Sequence, residues 1–365
     1  MANMETLDSW QWQMTNRITD ISSLRNYVEI SDKQAGEIAA AGAEFRWAIT
    51  PYYASLMDRN DDNCPIRMQA IPSIQELRNQ NGLQDPLQEE TQSPTSGLIH
   101  RYPDRVALTV SSECAMYCRH CTRKRFVGQP VQRTTWQAIQ TGIDYVRKTE
   151  SVRDVLITGG DPFVLSDDRL ERILRALRTI DHVEIIRFGT RTPCTMPQRI
   201  TDRLCDMLAQ YHPIWINTHF NHPRELTEEA AKATDRLLRA GIPIGNQSVL
   251  LRGVNDNLDT MKSLLHGLLK MRVRPYYLYQ CDRIIGTEHF WTPLTTGLDL
   301  IDHFQGYTTG LAVPQFIVDS PMGKIPLSRS KLVELTEDHA VLRNYEGRTM
   351  TIPCQVDSEP APVAI

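Results

Sequence analysis

Three of the eight cysteines fall within eight residues, in the stretch SSECAMYCRHCTRKRF from Ser111 to Phe126. Cys114, Cys118 and Cys121 form a Cys-x3-Cys-x2-Cys spacing that delivers three thiolates from one short loop. Clustered thiols in a chain without signs of secretion point to metal or redox chemistry rather than a disulfide framework. Structural zinc takes four ligands, and no fourth Cys or His stands at a finger-like spacing. His120 is adjacent to Cys121, too near along the chain for both to ligate one tetrahedral ion without strain. Three thiolates on a four-iron cluster would instead leave one iron open to a substrate or cosubstrate, whereas electron carriers use four cysteines. The alternatives are a zinc knuckle, with the basic run Thr122 to Phe126 as its nucleic-acid contact, and metal-free buried thiols. Cys64, Cys194, Cys205, Cys281 and Cys354 are scattered and read as small buried side chains.

A loop of this kind needs a rigid frame. From residue 105 onward, short apolar runs alternate with amphipathic segments. The expected strands are 105–111, 154–160, 183–190, 214–220, 242–251 and 274–282; the expected helices are 134–148, 166–180, 198–211, 225–240 and 256–272. Ser166, followed by acids, reads as a helix N-cap. Mostly apolar strands in strand–helix repeats predict a parallel α/β sheet covered on both faces. A doubly wound sheet would want a glycine-rich turn after its first strand, but that strand leads into the cysteines. Polar residues crowd the strand ends in TGGD, GTRTP, NTHFNHP, NQS and YQCD, the active-site face of a barrel. The fold expected is therefore α/β: a partial (β/α)6 barrel over 100–309. An N-terminal helical region (1–99) precedes it, and a short β-containing segment (310–357) and a disordered tail (358–365) follow.

At 365 residues the chain can bury one large core, or one core with an appended domain. A net charge of −4 gives no reason to expect nucleic acid or an anionic membrane as partner. No apolar run is long enough to span a bilayer, and the opening MANMETLDSWQWQM lacks a signal-peptide core, so the expectation is a cytoplasmic protein.

The cysteine spacing resembles that of the radical S-adenosylmethionine superfamily. The longer strings GLIHRYPDRVALTVSSECAMYCRHCTRKRF, VLITGGDP, RTPCTMPQRIT, NTHFNHPRELTEEA, GNQSVLLRGVND, RVRPYYLYQCD, GKIPL and AVLRNYEG resemble the lysine 2,3-aminomutase family, which includes arginine 2,3-aminomutases. The likeness runs from about Trp10 to Gly347. It implies that Cys114, Cys118 and Cys121 hold a [4Fe–4S] cluster. It also implies that Gly159, Gly160, Asp161, His219 and Gln247 contact S-adenosylmethionine, and that Lys324 holds pyridoxal 5′-phosphate. Arg101, Tyr102 and Arg105 match cofactor-binding positions, where two arginines suit a phosphate dianion. Arg123 matches the clamp on a substrate α-carboxylate, and Asp282 and Asp319 match the pair that receives a side-chain cation. The implied reaction starts with a 5′-deoxyadenosyl radical taking hydrogen from C3 of an amino acid joined to the cofactor as an imine. It would turn L-lysine into β-lysine, or alternatively L-arginine into β-arginine. A flavodoxin- or ferredoxin-like reductant and a homo-oligomer are implied as well. A radical enzyme acting on a lysine of a protein, or a non-catalytic iron–sulfur or zinc module, would be the competing classes.

Two departures from the family stand out. Only SPMGK follows Asp319, where relatives have a longer glycine-rich run. Asn257 in GVNDN replaces a cysteine that, with a cysteine-rich tail, binds zinc in relatives, so no structural zinc is expected and the subunit contact should differ.

Overall fold

A computed structural model of the chain describes residues 9–78, 81–129 and 134–354. Nine strands form one open sheet in chain order among the described residues. They are β1 (Leu98–Tyr102), β2 (Arg105–Ser111), β3 (Asp154–Gly159), β4 (Ile185–Gly189), β5 (Ile214–Thr218), β6 (Ile244–Leu250), β7 (Arg274–Gln280), β8 (Gln315–Val318) and β9 (Ile325–Leu327). Strands β2 to β8 pair in parallel, and β1 and β9 close the two edges antiparallel. The partial barrel is therefore as expected, with two additions. Helix Leu294–Phe304 leads into β8, a seventh parallel strand that sequence reading assigned to the C-terminal segment. His100 to Arg105 forms a hairpin, with Tyr102 paired to Arg105 across the β1–β2 turn.

The expected crossover helices are present at Trp136–Lys148, Asp167–Arg178, Asp202–Ala209, Glu228–Arg239 and Leu258–Lys270. Thr135, Ser166, Thr201, Thr227 and Asn257 each cap one with a side-chain oxygen. Burial alternates along β3, β4 and β6. Val155, Ile157, Ile186 and Phe188 join the helices' Ile143, Leu170 and Leu174 in the core, so the opposite, half-buried face lines the barrel interior. That is why the strands read as mostly apolar while still carrying a polar lining.

The N-terminal helices, including Pro51–Ser55 and Pro65–Ala70, do not have a core of their own. Ile18, Tyr53, Ile66 and Ala70 belong to the same buried cluster as the barrel strands. At the other end, Leu332–Leu335, His339–Arg343 and Thr349–Pro353 make a separate three-stranded antiparallel sheet. The expected tail, 358–365, lies outside the described residues, as does the very start of the chain. Among the described residues no helix is long and apolar enough to cross a membrane.

Candidate active site

The cysteine loop leaves the C-terminal end of β2 and is tied down from both sides. Tyr117 N–H donates to Ala48 O (3.1 Å) and Arg119 N–H to Gln69 O (2.9 Å), both in the N-terminal region. The buried Arg119 guanidinium holds both oxygens of buried Glu76, at 2.9 and 2.5 Å. On the barrel side, Gly160 and Asp161 N–H groups donate to Ser111 O (2.6 Å) and Glu113 O (2.8 Å).

The loop holds its three thiols near enough for their charges to act on one another. Burial pushes the Cys114 thiol well up, with the Asp161, Cys121 and Cys118 charges adding to it, and burial with Cys118 pushes Cys121 up to about 11. Such thiols stay protonated near neutral pH unless a metal takes the proton's place. No three His, Cys, Asp or Glu side chains among the described residues are grouped to hold a single metal ion. Three thiolates from one loop are one short of the four ligands of a structural zinc, and match a four-iron cluster that keeps one iron open. His120 Nε2 faces Asn221 Nδ2 at 3.4 Å, and its ring lies edge-on to Phe290.

Gly159 and Gly160 serve the loop directly. A Cβ on Gly159, which has φ +139°, would lie 2.2 Å from Ser111 O, and one on Gly160 would lie 2.4 Å from Glu113 O. The Asp161 carboxylate accepts from Phe163 N–H, Thr190 Oγ1–H and Arg191 N–H at 2.7–3.0 Å. It thus joins the ends of β3 and β4. The His219 ring meets the backbone of Gln247, and burial, then Arg191, draws its pKa down to about 4. A residue that sequence reading passed over stands between them. Arg191 donates to Cys118 Sγ (2.8 Å), His219 O (3.0 Å), Gln69 Oε1 (2.7 Å) and Glu225 Oε1 (2.9 Å). Its signal was available as the lone cation at the strand end GTRTP.

A second group of site residues gathers at the far side. A tight turn, closed by Ser320 and Gly323 backbone bonds of 3.1 and 2.9 Å, delivers Lys324. Lys324 N–H donates to Tyr102 Oη (2.9 Å), and its Nζ lies 3.2 Å from Asp319 Oδ2. Arg101 reaches Asp319 Oδ1 at 3.0 Å, and the Arg105 guanidinium lies 3.7 Å over the Tyr102 ring. Tyr279, also passed over, places its ring 5.8 Å from Lys324 Nζ. No hydrogen bond reaches the Asp282 carboxylate among the described residues. Burial first, then the Asp319 charge, pushes its pKa up to about 7 against the pull of Lys324.

Arg123 does lie by the cluster loop, but it already holds a carboxylate. Its Nε and Nη2 donate to Glu89 at 2.8–3.2 Å, and its Nη1 to Thr158 Oγ1 (3.3 Å) and Gly159 O (3.1 Å). Glu89 sits in a segment without regular structure, in contrast to the helical region expected over 1–99. Nearby Gln92 holds Arg101 Nε (2.6 Å) and Pro321 O (2.9 Å), and Leu87 O accepts from Arg101 (2.9 Å). The segment therefore touches both halves of the site.

Comparison with known proteins bears on what these groups do. The family model of the Radical SAM superfamily matches residues 108–265, and that described as Lysine-2,3-aminomutase matches residues 301–360. An L-lysine 2,3-aminomutase of Fusobacterium nucleatum is 50% identical over 98% of this chain and 85% of its own length. One from Clostridium subterminale is 50% identical over 93% of this chain and 82% of its own. A glutamate 2,3-aminomutase of Clostridioides difficile is 46% identical over 98% of this chain and 84% of its own.

Proposed function

Because the chain belongs to the lysine 2,3-aminomutase family of the radical SAM superfamily, we propose that it moves the α-amino group of a free cationic L-amino acid to C3, converting L-lysine to β-lysine. Membership itself makes the chain an isomerase, a radical S-adenosylmethionine aminomutase with a [4Fe–4S] cluster. Its substrate is a small-molecule amino acid, and the chemistry calls on an external reductant. When bound, the cluster with its cosubstrate supplies a carbon radical, and pyridoxal phosphate supplies a ring that delocalises unpaired spin.

The chain's own residues take the following roles in this reading. Cys114, Cys118 and Cys121 hold the cluster. Neutral His219 and Gln247 face the cosubstrate, and Gly159, Gly160 and Asp161 shape the wall behind it. Asp161 acts through backbone it holds in place, since its carboxylate is already bonded. Lys324 carries the pyridoxal phosphate, with Arg101 and Arg105 for its phosphate and Tyr102 fixing the lysine's backbone. Arg123 takes the α-carboxylate and the Asp282–Asp319 pair takes the side-chain cation.

The observation that carries the cationic substrate is Asp282. It is a half-buried carboxylate without a hydrogen-bond donor among the described residues, beside a second carboxylate. Asp319 already pairs with Arg101 and Lys324, but among the described residues no ion pair reaches Asp282, whose charge is costly until a cation joins it. Glutamate would bring a third negative charge there. A guanidinium fits two carboxylates as well as an ammonium does, which makes arginine the second reading.

The test is an anaerobic assay of the reconstituted protein with reductant, S-adenosylmethionine and each of lysine, arginine and glutamate. β-Lysine is expected as the main product. A preference for arginine moves the assignment to the second reading, and β-glutamate as the main product, or no β-amino acid at all, ends both. Lys324→Ala should abolish turnover while iron content and the cluster's visible absorption persist; undiminished turnover would remove Lys324 from the site.

A further inference from the structure

Arg123 has five N–H groups to offer. Nε and one Nη2 hydrogen are spent on Glu89, and Nη1 is spent on Thr158 Oγ1 and Gly159 O. One N–H remains, too few for the two-point grip that makes guanidinium–carboxylate pairing strong and directional. Glu89 is itself buried, and Arg125 approaches it at 3.5 Å. Arg125 also pairs with Asp85 at 3.3 Å and Glu90 at 3.2 Å. The same short stretch, through Leu87 and Gln92, bonds Arg101 and Pro321. A single segment thus occupies the carboxylate-binding edge of one site cation and braces a second.

We propose that Glu89 occupies the seat of the substrate's α-carboxylate on Arg123, and that the strap Asp85–Gln92 must release that seat when the amino acid binds. This rests on the reading that Arg123 takes the substrate carboxylate. Both ligands are carboxylates and both need the Nε–Nη2 edge, so they compete for it. The exchange preserves charge: one carboxylate replaces another, and Glu89 passes to Arg125, which is already within reach. Amino acids lacking a free carboxylate have nothing to displace Glu89 with. The device therefore selects for the free amino acid over a lysine within a polypeptide.

The experiment uses full-length reconstituted holoenzyme with two readouts. The first is KM for lysine in Glu89→Gln and Arg123→Gln. Losing the competing charge should lower KM in Glu89→Gln by about three- to tenfold, since charge-assisted bonds are roughly twice as strong as neutral ones. The second is amide hydrogen exchange of peptides covering 85–93 in the wild-type protein, which should speed up when lysine is added. An unchanged or raised KM in Glu89→Gln, or slower exchange on adding lysine, would mean that Glu89 stays on Arg123 with substrate bound, and the proposal fails. If Arg123→Gln leaves KM unchanged, the clamp reading itself is wrong, whatever Glu89→Gln does. Should Glu89→Gln not fold, the wild-type exchange measurement decides alone.

Discussion

Burial and the neighbouring Asp319 charge move the Asp282 pKa from 3.8 to about 7, with opposite consequences for folding and for binding. The unfolded chain gives up this proton near the lower value and the folded chain near the higher one. Between them the folded state binds more protons, so stability falls as pH rises through the window, and the full penalty stands above about 7. Without substrate, Asp282→Asn should therefore raise the melting temperature at pH 8, with the gain shrinking toward pH 4. Binding runs the other way. The substrate cation needs ionised Asp282, so KM for lysine should climb as pH drops below about 7, while Asp282→Asn shows a higher KM with a flatter profile. A wild-type KM independent of pH between 6 and 8 would show that Asp282 does not face the cation. At this scale the sequence was most informative about residue types. Cys114, Cys118 and Cys121 stood out by type and spacing, whereas Lys324 and the two aspartates were legible only through the motifs that resemble the family. Arg191 and Glu89 did not stand out, because a lone arginine or glutamate is usually solvated, and only tertiary contact makes them special.

The TGGD turn has a packing role in addition to the cosubstrate contact that the resemblance implies. From sequence, two glycines at a strand end suggest close approach by a ligand. The structure has the loop's own backbone in that space, with the Gly159 and Gly160 Cβ positions facing Ser111 and Glu113 oxygens. Gly160→Ala should push the cysteine loop off β3, lowering stability by about 1–3 kcal/mol, as overpacking does. Iron loading should fall with it. Thermal unfolding and iron–sulfide analysis check this, and unchanged values for both would show that Gly160 does not hold the cysteine loop in place. The crossover helices were legible because 3.6-residue periodicity and Ser, Thr or Asn caps are local signals. Asn257 is one such cap, accepting from Thr260 N–H at 3.0 Å. Strand β8 was missed as a barrel strand because four residues of it carry no pattern of their own; its partner β7 is what makes it a strand.

Across the whole molecule, the N-terminal region is inseparable from the site it covers. Glu76 pairs with both Arg119 and Lys124 inside the protein, and Tyr53 and Gln69 complete the Glu225–Arg191 network beneath Cys118. A chain beginning at residue 100 would expose the shared core and leave Arg119 buried without its carboxylate. Such a fragment is expected to show no cooperative thermal transition and to bind no cluster. A cooperative transition with iron bound would mean that the barrel folds alone. What the sequence by itself determined was the chemistry and the α/β class, since cofactor-binding residue types and hydrophobic periods are written locally. What only the tertiary structure decided was which groups meet. Arg191 joins Cys118 and Glu89 joins Arg123 because distant segments converge where the parallel strands end, and burial there turns ordinary charges into partners that must be matched.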